Sequence, residues 1–130
     1  PANAAEDSVS ILPDLLGTAR TAVREATVHQ SPAGDLAIRQ REWKLIFLSG
    51  GQRELFNLTT DLGEKNNVAN ANPDIVARLT KLMQQYIDNG RSTPGDSQKN
   101  GATISLDGKG KDKKKQPKAA AGAPQVQTLK

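Results

Sequence analysis

The chain reads as an α+β fold: a small four-stranded antiparallel sheet packed by one C-terminal amphipathic helix, with a short N-terminal helix and a disordered basic tail. Three observations predict it. Between Arg24 and Leu58, apolar residues alternate in four short runs broken by Pro, Gly and polar turns, the period of pleated strands. Between Pro73 and Gly90 they recur at steps of three and four, the period of a half-buried helix. From Gly108 onward the chain is Lys, Gly, Ala, Pro and Gln, a composition that cannot bury a core.

A length of 130 residues leaves room for one modest domain, and 35% hydrophobic content with 3% aromatics is thin for it. Part of the chain is therefore expected not to fold. The charge is unevenly spread. Residues 96–130 carry eight lysines against three aspartates, a net +5, so residues 1–95 carry −1 of the total +4. The basic character belongs to the tail, and a nucleic-acid role does not follow from it. The absence of cysteine excludes disulfides, thiolate metal ligands and a cysteine nucleophile. No apolar run approaches the roughly 18 residues of a membrane span. No signal peptide is recognisable, and Pro1 in place of Met reads as a chain cut from something longer.

Taken in order, Asp7 to Gly17 reads as a short helix. Ser10 is placed to cap it, Ile11, Leu12, Leu15 and Leu16 form its apolar face, and Gly17 stops it. So short a helix is marginal alone, and its face calls for a partner. Arg24–His29 is the first expected strand, followed by a Pro- and Gly-containing loop. Leu36–Arg41 is the second and Trp43–Leu48 the third, the latter central because both faces of its second half are apolar. Ser49 to Gln52 forms a hairpin turn in which Gly50 and Gly51 supply positive φ. Arg53–Leu58 is the fourth strand, and short connections imply a meander. In the last helix Asn72 is the expected cap, Pro73 the first residue, and Asp74 sits where the helix dipole favours an acid. Its stripe is Ile75, Val76, Leu79, Leu82, Met83, Tyr86 and Ile87, which makes Met83 and Tyr86 core residues, and Gly90 ends it. Thr103–Leu106 has the composition of a further brief strand.

Chemistry is sparse. His29 is the one histidine, and no nucleophile-elbow sequence accompanies it. Asp61 and Glu64 lie in a polar turn, where capping of backbone amides suits them better than acid–base work. No Gly-rich phosphate loop precedes a helix, and the acidic turn is too irregular for an EF-hand. Asn57-Leu58-Thr59 matches the glycosylation triplet, a pattern too short to weigh. The Lys-rich tail could hold polyanions, but no aromatic is interleaved to stack a base, and a solvated tail is the simpler reading.

The central stretch carries a resemblance. Ala37, Ile38, Arg39, Trp43, Lys44, Leu45 and Ile46, then Glu54, Leu55, Leu58, Asp61, Glu64 and Asn67, stand in the order and spacing of the sulfatase pattern A-I-R-x-x-x-W-K-L-I, turn, E-L-Y-D-L-x-x-D-P-x-E-x-x-N-L. The chain departs from it at Phe56, Asn57, Leu62 and Val68. Residues 7–17 are similar to the segment that closes the sulfatase catalytic domain, and Arg91 to Gly95 resembles the way many bacterial sulfatases end their last helix. The resemblance covers about residues 6–95. It implies that residues 1–22 finish a catalytic domain and connector, residues 23–95 form the C-terminal subdomain, and residues 96–130 are a low-complexity tail.

The resemblance further implies a sulfuric ester hydrolase as parent, with calcium and a formylglycine as its cofactors and a sulfate ester as its substrate. The parent would be periplasmic or secreted. The formylglycine arises in the family from C/S-x-P-x-R, and the nearest approach here, Ser92 to Asp96, ends in Asp96 where arginine is required. No catalytic, metal or cofactor residue is therefore expected in this chain. Its expected partner is the parent's catalytic domain, with no specific nucleic acid and no membrane span. His29 is the candidate substrate-binding residue, nearest the mouth of the pocket, with a histidine merely satisfied at a strand end as the other reading. Arg39 and Lys44 are rim contacts or solvated strand residues. The alternative function is a stand-alone α+β binding module whose Lys-rich tail holds polyanions.

Overall fold

The computed structural model describes residues 8–18 and 24–107. Four strands, β1 (Thr27–Gln30), β2 (Leu36–Gln40), β3 (Trp43–Phe47) and β4 (Arg53–Asn57), form one antiparallel meander in the order β1-β2-β3-β4. Helix α2 (Pro73–Asn89) lies against β2 and β3, and a short helix α1 (Leu12–Leu15) precedes the sheet. This is the α+β class that the periodicity predicts. The disordered-tail expectation falls on residues 108–130, which lie outside the described residues.

Register decides what each face presents. Val28, Ile38, Leu45 and Leu55 stand in one cross-strand row, and Leu36, Phe47 and Arg53 in the next. These rows face α2, where Ile38, Leu45, Leu55 and Leu79 are fully buried, with Phe47, Leu82 and Met83 beside them. The opposite face carries His29, Ala37, Ile46 and Glu54 in one row and Thr27, Arg39, Lys44 and Phe56 in the other. Leu45 and Phe47 of β3 are buried, whereas Ile46 is only half-buried. The inner strand is thus covered fully on one side alone.

The elements differ from the sequence reading mainly at their ends. Helix α1 is a single turn rather than the span 7–17. Pro13 has no amide to donate and belongs in a first turn, so the helix starts only at Leu12. Ile11, not Ser10, is its N-cap residue, and the Leu12 amide reaches the Ser10 hydroxyl at only 3.4 Å. Strand β1 begins at Thr27 rather than Arg24, because β2 offers it partners only as far as Arg39, opposite Thr27. Beyond Gln40 the chain turns at Arg41, whose φ is 55°, and enters β3. β2, β3 and β4 each end one residue earlier than expected. The expected strand Thr103–Leu106 does not form, and this segment joins no ladder of the sheet.

Asn72 does not cap α2 with its side chain. Residues Ala69–Ala71 form a 3-10 turn, and the Asn72 side-chain Nδ2 donates back to the Val68 carbonyl at 3.0 Å. The helix still opens with Pro73 and closes on Gly90, whose φ of 65° allows the left-handed stop. A Cβ at Gly90 would fall 2.1 Å from the Gln98 carbonyl oxygen, so both space and backbone require glycine there. Gly50 and Gly51, at φ 107° and 85°, make the β3–β4 turn as their composition predicts.

Two devices close the exposed borders of the core. Along the free edge of β4, the Asn67 side chain accepts from the Leu55 amide at 3.1 Å and donates to the Arg53 carbonyl at 3.3 Å. The Val68 amide then bonds to the Leu55 carbonyl at 2.9 Å, so the edge is paired without a fifth strand. After Gly90 the chain folds back as a strap. The Gln98 amide bonds to the Asn89 carbonyl and the Asn100 side chain to the Ile87 carbonyl, satisfying the open end of α2. Leu106 then enters the core, while Arg53 stacks on Phe47 at 4.7 Å and pairs with Asp107 at 2.9 Å.

Tyr86 ties α2 to the lead-in of β1: its hydroxyl donates to Glu25 Oε2 at 3.3 Å. Burial, then the nearby Glu25 charge, push its pKa up to about 12.

Two outcomes follow. Leu45→Ala should cost about 2–5 kcal/mol, because Leu45 is fully buried at the centre of the sheet. Urea unfolding followed by fluorescence of the single tryptophan, Trp43, measures it. Tyr86 is the sole tyrosine, so absorbance at alkaline pH reads it alone. Its titration midpoint should lie near 12 rather than 10 and should fall in Glu25→Gln. Because the folded pKa is raised, the associated stability is fully present below pH 10 and is lost between 10 and 12.

Candidate functional site

Two regions carry chemistry-bearing side chains. The first is the sheet face turned away from α2. His29 lies at the end of the edge strand β1, exposed, opposite Ala37. Arg39, on the same face, donates from Nε to the Arg41 carbonyl at 3.2 Å, holding its guanidinium along the β2–β3 turn. Lys44 reaches Glu64 with Nζ 2.6 and 2.7 Å from the two carboxylate oxygens, both side chains half-buried. The residues read in the sequence as rim contacts or solvated strand positions are thus engaged with their own turns.

The turn after β4 explains its acidic residues. The Asp61 carboxylate accepts the backbone amides of Lys65 and Asn66 at 2.9 and 2.8 Å. These bonds hold its pKa below the ordinary carboxylate value, with the Asn66 amide the larger cause. Asp61 is therefore a capping residue, as the sequence suggests. Glu64 is not: at φ 53° it projects back to Lys44 and pins the turn to β3. The same logic recurs in the β1–β2 loop, where Asp35 accepts from the Ser49 amide at 2.9 Å and the Ser49 hydroxyl at 3.0 Å. Those bonds lower its pKa too. This face is a set of fastened turns around one exposed histidine.

The second region is a concavity that sequence reasoning did not find. At the C-terminal half of α2, a cavity of about 350 Å3 opens between β1, β2 and the strap. It is lined by the apolar Val28, Leu36, Met83, Ile87 and Ile104 and by Arg24, Tyr86, Arg91, Ser92 and Asn100. A second recess of about 260 Å3 adjoins it and shares Arg24, Tyr86, Arg91 and Ser92. Arg91 is fixed by its own loop, with Nε and Nη2 donating to the Thr93 hydroxyl at 3.3 and 3.0 Å and Nη1 to the Asp96 carbonyl. Arg24 and Arg91 are far apart in sequence and follow no motif. Only the return of α2 beside β1 brings them together.

Among the described residues, no group of three or more His, Cys, Asp or Glu gathers where it could hold a metal ion, so the donor set does not fit a calcium site. No described helix is long and apolar enough to cross a membrane.

No protein-family model matches the chain. Among curated proteins it is similar to an N-acetylgalactosamine-6-O-sulfatase of Bacteroides thetaiotaomicron, 36% identical over 99 residues, covering 65% of this chain and 19% of the relative. Among solved structures it is similar to a sulfatase chain from work on the metabolism of multiple glycosaminoglycans by Bacteroides thetaiotaomicron. There the TM-score is 0.59 at 34% identity, over 65% of this chain and 21% of the other. The chain spans about a fifth of the length of these relatives. With sequence and fold in agreement, the chain is a homologue of the sulfatases, corresponding to a limited part of them.

Proposed function

We propose that this chain is the C-terminal subdomain of a sulfuric ester hydrolase, serving as a supporting domain that packs on the catalytic domain and borders its substrate pocket. The observation that carries it is the bare face of α1. Ile11, Leu12, Leu15 and Leu16 are 61%, 56%, 74% and 66% exposed, four large apolar side chains on one turn of helix. A helix so short does not hold itself in water, and such a cluster marks a surface made to be covered. A stand-alone module would be expected to close that face, which argues against the alternative of a self-sufficient polyanion-binding domain.

In this reading residues 1–22 deliver the chain from the catalytic domain, residues 23–95 are the subdomain, and residues 96–130 follow it. The calcium ion and the formylglycine belong to the parent's catalytic domain, whose residues hold and activate the sulfate ester. His29 is read as the residue of this chain that borders the substrate, a reading supported by its exposure at the end of β1. The parent's place would be periplasmic or secreted.

The test compares Leu15→Lys in two settings. In this chain alone the substitution should leave stability within about 0.5 kcal/mol, since Leu15 touches mostly water. In the chain joined to a sulfatase catalytic domain it should cost about 1–3 kcal/mol and lower aryl sulfate hydrolysis. Equal, negligible effects in both settings would rule out α1 as the docking element.

A further inference from the structure

Glycine follows asparagine twice in this chain, at Asn89-Gly90 and at Asn100-Gly101. Asparagine in this setting is prone to lose its side-chain amide, because no Cβ on the glycine shields the main-chain nitrogen that closes a ring on Cγ. The fold treats the two pairs differently. Asn89 is the last residue of α2, and the Gly90 amide is engaged with the Ile87 carbonyl at 3.1 Å. Gly90 is also boxed in, with the Gln98 carbonyl where a Cβ would stand. Ring closure there requires the Asn89 main chain to rotate out of its helical conformation and break the helix end. Asn100 and Gly101 are exposed, outside any helix or strand. Among the described residues the Gly101 amide donates to nothing, and no atom lies within 4 Å of where its Cβ would be. The Asn100 side chain is held by its nitrogen, Nδ2 donating to the Ile87 carbonyl, which leaves Cγ open to attack.

We propose that Asn100-Gly101 is a site of spontaneous deamidation, and that its product unfastens the strap from the end of α2. The Gly101 nitrogen gives its proton to hydroxide and bonds to Asn100 Cγ. The bond from Cγ to Nδ2 breaks, and the nitrogen takes up a proton and leaves as ammonia. Water then opens the cyclic imide at either carbonyl, giving aspartate or isoaspartate at position 100. The net change is one water consumed and one ammonia released, with no oxidation or reduction. The consequence follows from what Nδ2 was holding. It is one of two donors to the Ile87 carbonyl, the other being the Gly90 amide. A carboxylate in its place sets an anion against a carbonyl oxygen at the negative end of the α2 dipole. The isoaspartate product also adds a carbon to the strap's main chain. Leu106 in the core and Asp107 on Arg53 keep the far end of the strap in place. The near end is the part that lifts, over the cavity that Asn100 and Ile104 both line.

The experiment ages the full 130-residue chain at mildly alkaline pH and maps its peptides by mass. Cleavage after lysine and arginine separates the two pairs, into residues 82–91 and 100–109. In the folded chain, 100–109 should gain the mass of an acid in place of an amide, faster as pH rises, while 82–91 stays unchanged. In urea, with the fold gone, both should convert at similar rates. Equal conversion of the two in the folded chain, conversion of 82–91 alone, or no conversion of 100–109 while the urea sample converts would each overturn the assignment. Gly101→Ala should stop the conversion without disturbing the fold, since the space beside Gly101 is open and its φ lies outside the left-handed region. Hydrogen exchange reads the second half. The Gln98 amide, bonded to the Asn89 carbonyl beside the lost contact, should exchange about five-fold faster in the aged chain. It should be unchanged in aged Gly101→Ala, and β3 amides should keep their rates in both. Full conversion with Gln98 exchange unaltered, or equal acceleration in β3, would overturn the unfastening of the strap.

Discussion

Everything in this small fold depends on one row of side chains, Val28, Ile38, Leu45 and Leu55, one from each strand, meeting Leu79 of α2 in a single cluster. The sheet has only four short strands, so it cannot close on itself or bury its edges. Its stability must come from the face pressed against the helix. A slip of one residue at any ladder would turn that strand's apolar set to the other side. The turns therefore carry unusual responsibility: Asp35 on Ser49, Asp61 on Lys65 and Asn66, and Glu64 on Lys44 all hold loops that fix where strands begin and end.

That constraint also explains the polar residues of the sulfatase-like stretch. Lys44, Asp61, Glu64 and Asn67 look at first like candidates for chemistry. Lys44 and Glu64 clamp the turn after β4 to β3, Asp61 caps that turn's amides, and Asn67 completes the edge of β4. Each engages backbone or a neighbouring turn rather than a common centre. Their spacing marks the architecture of the subdomain, and a homologue can carry the whole set without carrying an active site. His29 is different, since it lies outside these fastenings at an exposed strand end.

Periodicity made the sheet, the meander and α2 legible, because alternation and the three–four step report directly on which face is buried. Element ends were less legible. The start of β1 depends on how far β2 extends as its partner, and the start of α1 on where Pro13 can be accommodated. Asn72 and Pro73 together read as a capped helix start, yet the preceding 3-10 turn claimed the Asn72 side chain first. Leu106 could not be recognised as core, because a lone leucine in a polar stretch has no period, and only the strap's path delivers it under the sheet. The groove of Arg24, Tyr86 and Arg91 escaped for the same reason: Tyr86 sits on an apolar stripe that reads as pure core, and its arginine neighbours come from distant segments.

The bare face of α1 and the limited share of the relatives that this chain covers are the two observations behind the proposal that it serves a larger catalytic unit. The most direct measurement is the DNA sequence upstream of the Pro1 codon, read in frame. The account predicts an open frame encoding C/S-x-P-x-R within a few hundred codons, followed by a continuous path into α1. A stop codon close upstream would contradict it, leaving a sulfatase-like subdomain with no catalytic domain to support.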